Sequence, residues 1–257
     1  MSHKKDRESA ELEDTGGKIR LFVDVPLSAG AAIAATQPQA HYLLHVMRAR
    51  AGAQLRLFNG KDGEWRAHIR AEGKGRCSFV CDRMLVPQDS VLDLWLIFAP
   101  IKKTPADYVA QKATELGVSV LQPVITNRTV ARRVNVERLR ANAVEAAEQS
   151  ERLSVPEVRE PQSLDALLAT WPRERRLIFC DEAGEADSIA AALAKQDANG
   201  PWAVLTGPEG GFDAQERAAI RALPSVVPVT LGPRIMRADT AALAALSVFQ
   251  AMVGDWH

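Results

Sequence analysis

The run VLDLWLIFAP, residues 91–100, decides the fold class of this 257-residue chain. Apolar residues fill almost all of its positions, which is typical of a parallel strand that is covered on both faces. A helix start follows at Thr104, Pro105 and Asp107, where a threonine suits the N-cap, a proline the first helical position and an acid the positive helix end. We expect this helix to end at Gly117.

Strands and helices continue to alternate from Gly117 towards the C-terminus. The predicted strands cover residues 118–125, 176–181, 202–207 and 226–232. The predicted helices cover residues 136–151, 186–195, 213–223 and 239–253. This alternation predicts an α/β domain in which a parallel sheet carries helices on both faces.

The residues before Val91 have a different pattern. Short strand-like runs cover residues 19–27, 54–58, 64–70 and 77–85, with a turn at 59–63 and a short helix near 41–50. The Asn, Gly and Asp residues of the turn favour a hairpin. We therefore predict a disordered tail at 1–17, a small β-rich barrel domain at 18–88 and the α/β domain at 89–257.

Charge is distributed unevenly along a chain whose formal net charge is zero. Residues 18–88 contain eleven Lys or Arg and five Asp or Glu, a local excess of six positive charges, and the rest of the chain is acidic. A basic domain on an acidic chain favours a polyanionic partner such as RNA. An ordinary solvated basic face is the alternative.

The composition disfavours several classes of protein. No apolar run approaches the roughly 20 residues that span a membrane, and the N-terminus lacks the apolar segment of a secretory signal. Cys77 and Cys81 lack zinc-binding spacing, and His41 and His45 have no third ligand, so no metal site is predicted. The chain has no nucleophile elbow and no dinucleotide-binding fingerprint. We expect a cytoplasmic protein without a membrane anchor.

The first candidate ligand site is LTGPEGGF, residues 205–212, where an apolar strand ends in a glycine-rich turn. Asp213 and Glu216 then have the spacing of a capping box. Glycines let backbone amides approach a ligand closely, and ligands of open α/β sheets bind beyond the carboxyl ends of strands. Because the spacing matches no phosphate-binding fingerprint, contact with an adenine or ribose is favoured. A plain tight turn is the alternative.

The second candidate site is LGPRIMRADTAA, residues 231–242, where a strand end leads into an Ala-rich helix. Asp239 or Thr240 can cap that helix. An arginine beside a helix N-terminus adds positive potential, which favours an anion or an electron-rich base edge. The alternative is that Arg234 and Arg237 are surface cations.

The third candidate site is Asn127-Arg128-Thr129, directly after an apolar strand. Four arginines follow it, at positions 132, 133, 138 and 140. The planar guanidinium fork suits phosphates and base edges. For Arg138 and Arg140 a solvated helix face is the favoured interpretation.

Five segments in order carry a resemblance that is more specific than any single motif. They are HYL (41–43) with VMR (46–48), QKATELG (111–117), EAAEQS (145–150), GPEGG (207–211) and LGPRIMR (231–237). Through them the chain, from Ile19 onward, resembles the bacterial 16S ribosomal RNA uridine N3-methyltransferases of the SPOUT superfamily. The resemblance implies methylation of N3 of a specific uridine in the decoding region of the small subunit.

The resemblance also implies an architecture and a cofactor. Residues 18–88 would form a PUA-like RNA-binding domain, and residues 89–257 a SPOUT domain with a deep trefoil knot, which general topology rules alone would disfavour. It implies a homodimer, S-adenosyl-L-methionine as the cofactor and 16S ribosomal RNA, in the assembled small subunit, as the substrate. The implied cofactor-binding residues are Leu205, Thr206, Gly207, Glu209, Gly210, Gly211, Leu231, Gly232, Arg234, Ile235, Met236, Thr240 and Ala241.

We assign three catalytic candidates by chemistry within that resemblance. Loss of the N3 proton places negative charge on the uracil, which Arg128 or Arg237 would stabilise, the latter across a dimer interface if need be. Glu209 would accept a proton or orient the amino group of the cofactor. The predicted RNA-binding residues are Lys18, Arg20, Arg48, Arg50, Arg56, Arg66, Arg132 and Arg133.

The chain departs from the family pattern at two places, and two other functions remain alternatives. Glu151 stands where a glycine is expected, and Ala238-Asp239 where Thr-Glu is expected. One alternative function is a SPOUT 2′-O-ribose methyltransferase acting on transfer or ribosomal RNA. The other is a non-catalytic RNA-binding protein.

Overall fold

The computed structural model describes residues 17–100, 104–131, 133–182, 186–197 and 199–256. The chain divides into two compact units. One contains the chain up to Ser90 together with Ala147–Val155, and the other contains Val91–Ala146 and Pro156–His257. All of the predicted tail except Gly17 lies outside the described residues, as does Arg132.

The first unit is built on a five-stranded sheet in the order β1-β3-β4-β5-β2. Its strands are β1 (Arg20–Phe22), β2 (Ala32–Ala34), β3 (Gln54–Phe58), β4 (Glu64–Gly73) and β5 (Arg76–Val86). The predicted hairpin forms between β3 and β4. Gly63 in its turn has φ +77°, and a Cβ there would lie 2.3 Å from the carbonyl oxygen of Val86, so only glycine fits. The structure adds β2, which sequence analysis missed because its Ala-rich run lacks strand periodicity.

The helix of the first unit starts earlier than predicted. Helix α1 (Gln37–His41) begins at a capping box formed by Thr36 and Gln39, and it continues into a π-helical turn, Tyr42–Val46. The turn ends because Arg48 takes a left-handed φ of +52°. The prediction of a helix near 41–50 was therefore displaced, since the Thr36 cap was not recognised.

The second unit has a parallel sheet in the order β12-β10-β11-β6-β7-β8, and β9 also pairs with β7. Its strands are β6 (Leu94–Phe98), β7 (Val120–Ile125), β8 (Glu157–Val158), β9 (Gln162–Ser163), β10 (Arg176–Cys180), β11 (Trp202–Thr206) and β12 (Val226–Val229). Its helices are α2 (Thr104–Glu115), α3 (Val136–Gln149), α4 (Leu164–Ala169), α5 (Ile189–Leu193), α6 (Ala214–Arg221) and α7 (Ala238–Met252). The predicted parallel α/β sheet is confirmed.

The opening run of the second unit is buried on both faces, as its composition predicts. Leu94, Leu96 and Phe98 of β6 join one hydrophobic core, which Trp202 and Phe249 also occupy. Ile97 joins a separate core on the other face. Alternate residues of one strand therefore serve two cores, which explains why apolar residues fill nearly every position.

Arg20 is buried, which contradicts its predicted role in RNA binding. Its side chain is 3% exposed and pairs with Glu64, and Nη1 donates to the carbonyl oxygen of Ala147 at 2.7 Å. The guanidinium also lies 3.8 Å from the ring centroid of Phe58. Arg20 thus fastens Ala147–Val155 to the sheet of the first unit, because a buried charge requires partners on every side.

Glu151 has the backbone conformation of a glycine. Its φ is +61°, in the left-handed region, and its carboxylate accepts a hydrogen bond from Nη2 of Arg56 at 2.9 Å. The glycine expected here from the family pattern would take this φ without steric cost. With Glu151 in place of glycine, the chain therefore has a strained backbone and gains an exposed ion pair, and such a pair adds little to the stability of the fold.

We predict that Glu151→Gly is more stable than Glu151→Ala by about 1 kcal/mol, because both lose the ion pair and only glycine relieves the left-handed strain. Urea denaturation of the two variants and the parent chain measures this difference. Equal stabilities for the two variants would show that the backbone at Glu151 carries no strain.

Candidate functional site

A pocket opens beyond the carboxyl ends of three neighbouring strands, β10, β11 and β12. It encloses about 960 Å³, counting the space at its open mouth. Its walls come from three stretches: residues 179–182, the glycine loop (207–212) and the arginine loop (230–237). The sheet therefore brings together two of the three motifs that the sequence singles out.

The glycine loop is held in shape by close packing. A Cβ on Gly207 would lie 2.8 Å from the ring of Phe212, and one on Gly211, where φ is +66°, would lie 2.3 Å from Oε1 of Glu182. Phe212 packs edge-on against Phe179, with ring centroids 5.4 Å apart. The Phe212 ring thus favours glycine at position 207, and the left-handed φ favours glycine at position 211.

The arginine loop is fixed at its start and exposed further along. The backbone N–H of Thr230 donates to Asp187 at 2.9 Å, and that of Ile189 donates to Thr230 at 3.1 Å. Ile235 is 90% exposed, although it lines the pocket. Arg237 occupies the N-cap position of α7, where its side chain makes no capping hydrogen bond and is exposed. Asp239 and Thr240 follow inside the helix, so neither takes the N-cap position predicted for it.

A third loop, the NRT loop (126–129), is bound to the glycine loop and to the start of α6. The backbone N–H and the side-chain amide of Asn127 donate to Glu216 and Asp213, both at 2.7 Å. Nη1 of Arg128 donates to the carbonyl oxygen of Gly210 at 2.8 Å. The predicted capping box of Asp213 and Glu216 is present. All three sequence motifs therefore meet at this edge of the sheet.

Glu216 joins these loops through a buried carboxylate. The residue is 5% exposed. Oε1 accepts from the backbone of Asn127 at 2.7 Å, and Oε2 accepts from the backbone of Asp213 at 3.0 Å. The pKa of Asp213 is lowered, first by the backbone N–H of Glu216 and then by the side chain of Asn127. Asp213 consequently stays an ionised acceptor beside the NRT loop.

Sequence analysis missed a charged cluster on the pocket wall. The carboxylate of Asp181 is buried, and Oδ2 accepts from Nε of Arg217 at 3.0 Å and from Nη2 of Arg221 at 2.6 Å. Asp181 and Arg217 both line the pocket. The sequence contained a feature that could have predicted this cluster. Asp181 ends a predicted strand, and Arg217 and Arg221 are four apart on a predicted helix, so they share a face.

Most of the predicted cofactor-binding residues line this pocket. Those that line it are Thr206, Gly207, Glu209, Gly211, Leu231, Gly232, Arg234, Ile235, Met236 and Ala241. Leu205 is buried beneath it. Gly210 contacts Arg128 instead, and Thr240 bonds to Asp239. Sequence analysis left out Pro208, Phe212 and Pro233, which line the pocket from within the two motifs, and it missed Phe179, Glu182 and Val229, which lie outside them.

The three catalytic candidates differ in position. Glu209 is exposed and lines the pocket. Arg128 and Arg237 are also exposed and adjoin it, Arg128 through Gly210, and Arg237 between the lining residues Met236 and Ala238. Of the three candidates, Glu209 alone lines the pocket, while the two arginines lie on loops next to it.

The predicted RNA-binding residues separate into exposed and engaged groups. Lys18, Arg48, Arg50 and Arg133 are exposed. Arg56 pairs with Glu64 and Glu151, and Arg66 lies 3.5 Å from Asp82, so both are partly neutralised. The four exposed residues are therefore the best candidates for RNA binding.

The described residues that line the pocket offer backbone polar groups, apolar walls and carboxylates. Burial raises the pKa of the Cys180 thiol to about 12, so this lining residue is not a thiolate. Among the described residues, no group of three His, Cys, Asp or Glu side chains could hold a metal ion. No helix in the described part of the chain is long and apolar enough to cross a bilayer.

Two family models match the chain. One is described as an RNA methyltransferase domain and matches residues 88–250, and the other as an RNA methyltransferase PUA domain matching residues 35–80. The chain is 30% identical over 229 residues to a ribosomal RNA small subunit methyltransferase E of Rickettsia conorii, which covers 89% of this chain and 93% of that one. It is 29% identical over 226 residues to the Synechocystis protein of the same name, covering 87% and 74%.

A solved structure agrees with these relatives. The ribosomal RNA small subunit methyltransferase E of Neisseria gonorrhoeae, bound to S-adenosyl methionine, matches with a TM-score of 0.83 and 28% identity. The match covers 93% of this chain and 99% of that one. The similarity thus extends over both units.

We predict that Glu216→Ala lowers the free energy of unfolding by about 3 kcal/mol, because it leaves two backbone N–H groups without their acceptor. Glu216→Gln keeps one acceptor oxygen and should lose less. Urea denaturation checks both, and Glu174→Ala, which removes an exposed glutamate, is the control. Parent-like stability in Glu216→Ala would mean that these hydrogen bonds do not hold the loops together.

Proposed function

Because the chain belongs to the RNA methyltransferase family whose domain model spans residues 88–250, we propose that it methylates N3 of a specific uridine in 16S ribosomal RNA with S-adenosyl-L-methionine as the methyl donor. One observation carries the proposal. The glycine loop and the arginine loop form a single pocket, in a chain that matches an S-adenosyl methionine-bound relative over nearly its whole length.

The residues of the pocket fit this cofactor. Gly207 and Gly211 keep the glycine loop free of side chains where a Cβ would collide with Phe212 or Glu182. Backbone groups of the two loops suit the hydrogen-bonding edge of an adenine, and the apolar walls suit its faces. The carboxylates of Glu182 and Glu209 suit the positive charge of the ammonium and sulfonium groups.

The protein supplies alignment and charge rather than a covalent nucleophile. The bound cofactor provides a methyl group already activated on a sulfonium. The pocket holds donor and base in line, which removes much of the entropic cost of their encounter. Arg128 and Arg237 stabilise the negative charge that uracil oxygens gain when N3 loses its proton. Glu209 is the candidate to accept that proton or to orient the cofactor.

The position of Arg128 supports its role. The NRT loop is fastened to α6 by Glu216 and Asp213, and Arg128 reaches back to the carbonyl oxygen of Gly210. Its guanidinium thereby lies beside the glycine loop. A cation fixed in advance costs no reorganisation when charge develops.

We extend the proposal to architecture and partners. Residues 18–88 act as a PUA-like RNA-binding domain, which the PUA model match at 35–80 supports. Residues 89–257 form a SPOUT domain that is closed by a deep trefoil knot, and the observed parallel sheet supports the domain assignment. Two chains form a homodimer, so that an exposed Arg237 can serve the partner's pocket. The substrate is the assembled small subunit in the cytoplasm.

We predict that labelled S-adenosyl-L-methionine, incubated with the protein and unmethylated small subunits, yields 3-methyluridine at one position. Digestion of the RNA and mass spectrometry of the nucleosides locate the methyl group. Naked 16S RNA in a parallel reaction should react more slowly. A methyl group on the ribose would establish 2′-O-methylation instead, and a chain that binds no donor would be an RNA-binding protein only.

We predict that Arg128→Ala slows methyl transfer about 100-fold or more, while the Kd for the cofactor stays nearly unchanged, because Arg128 acts on charge in the transition state. Gly211→Val should show the opposite pattern, a large rise in that Kd. Calorimetry and single-turnover kinetics separate the two effects, with Arg173→Ala, an exposed arginine, as the control. Near-normal transfer by Arg128→Ala would remove it from the mechanism.

A further inference from the structure

The π-helical turn of the first unit carries an exposed apolar cluster. Tyr42, Val46 and Met47 are 40%, 60% and 44% exposed, and they lie within six consecutive residues. Isolated exposed apolar residues are ordinary, whereas a cluster of them marks an interaction surface. The mechanism of methyl transfer makes no use of this turn.

The turn is held rigidly by the core behind it. Leu43 is fully buried in the hydrophobic core of the first unit, beside the buried Ala40. The backbone N–H of Met47 donates to Tyr42 and that of Ala49 to Leu43, both at 2.9 Å. Arg48 adopts φ +52°, which a residue other than glycine rarely takes. Single π-helical turns and strained residues both occur frequently at functional sites.

Flat rings are concentrated on the same turn. The imidazoles of His41 and His45 have centroids 5.1 Å apart and planes inclined by 35°, and both residues are exposed. The exposed ring of Tyr42 follows directly after the first histidine. Aromatic and imidazole rings are the side chains on which unpaired nucleobases stack.

Acidic residues are absent from the stretch of sequence that contains the turn. The stretch from Val25 to Lys61 contains no Asp or Glu, and it includes His41, His45, Arg48, Arg50 and Arg56. Arg48 and Arg50 are exposed, next to the apolar cluster. A ring-bearing, positively charged surface complements a nucleic acid strand better than an acidic peptide, which would offer no bases to stack.

We infer that the π-helical turn is a stacking site for an unpaired base of the RNA substrate, with Tyr42 as the stacking ring and Arg48 and Arg50 as contacts to the flanking phosphates. This inference rests on the proposed function and deepens it, because it states that the first unit binds single-stranded RNA. Stacking platforms combined with basic residues are how proteins hold unpaired strands.

Fluorescence anisotropy with an unpaired RNA of about 10 nucleotides tests this, since single-strand sites are of that order. Tyr42→Ala should weaken binding about tenfold, and Tyr42→Phe, which keeps the ring, should bind like the parent. Tyr108→Ala is the matched control, because Tyr108 is 43% exposed on α2. On a strand of equal length and charge that lacks bases, Tyr42→Ala and the parent should bind alike.

Salt dependence separates the two kinds of contact. Arg48→Ala should reduce the slope of log K against log salt by about 0.7, the value for one phosphate contact to a single strand, whereas Tyr42→Ala should leave the slope unchanged. Parent-like affinity of Tyr42→Ala, equal weakening on the base-free strand, or a change in its oligomeric state by light scattering would each overturn the inference. Methyl transfer measured on the parent chain reports separately on the proposed function.

Discussion

Parallel pairing of β10 with β11 and β12 is the constraint on which the pocket depends. Strands that run in the same direction release their following loops at one edge of the sheet. Residues 181, 207 and 230 are far apart along the chain, and the sheet alone makes them neighbours. Because the sheet already brings the loops together, a few hydrogen bonds between them are enough to fix their shape.

Periodicity predicted the second unit well and the first unit less well. The apolar run at 91–100 and the alternation after it are dominated by burial, which a sequence displays directly. The start of α1 depends on a single capping box at Thr36, and β2 depends on pairing with β5, a partner distant in sequence. Residues 147–155 return to the first unit through bonds to Arg20, Phe22 and Arg56, which are distant in sequence, and no local pattern reveals these bonds.

Counting charges in the sequence likewise does not show which arginines are free to bind RNA. Arginine is a buried ion-pair partner at position 20, it pairs with two carboxylates at position 56, and it is an exposed cation at position 50. The environment of each arginine depends on a distant carboxylate: Glu64 is 44 positions from Arg20, and Glu151 is 95 positions from Arg56. The motifs at 207–211 and 231–237 were predictable because glycine geometry is local, whereas the Asp181 cluster is assembled from separate elements and was missed.

Cys180 gives the pocket a further property. A sulfonium methyl donor alkylates any good nucleophile held near it, and a thiolate is among the best that a protein contains. Since the pKa of this thiol is about 12, its sulfur keeps its proton at physiological pH and is a poor competitor for the methyl group. Burial thus keeps this sulfur a weak nucleophile in the pocket, and a substitution that hydrates Cys180 would raise its thiolate fraction.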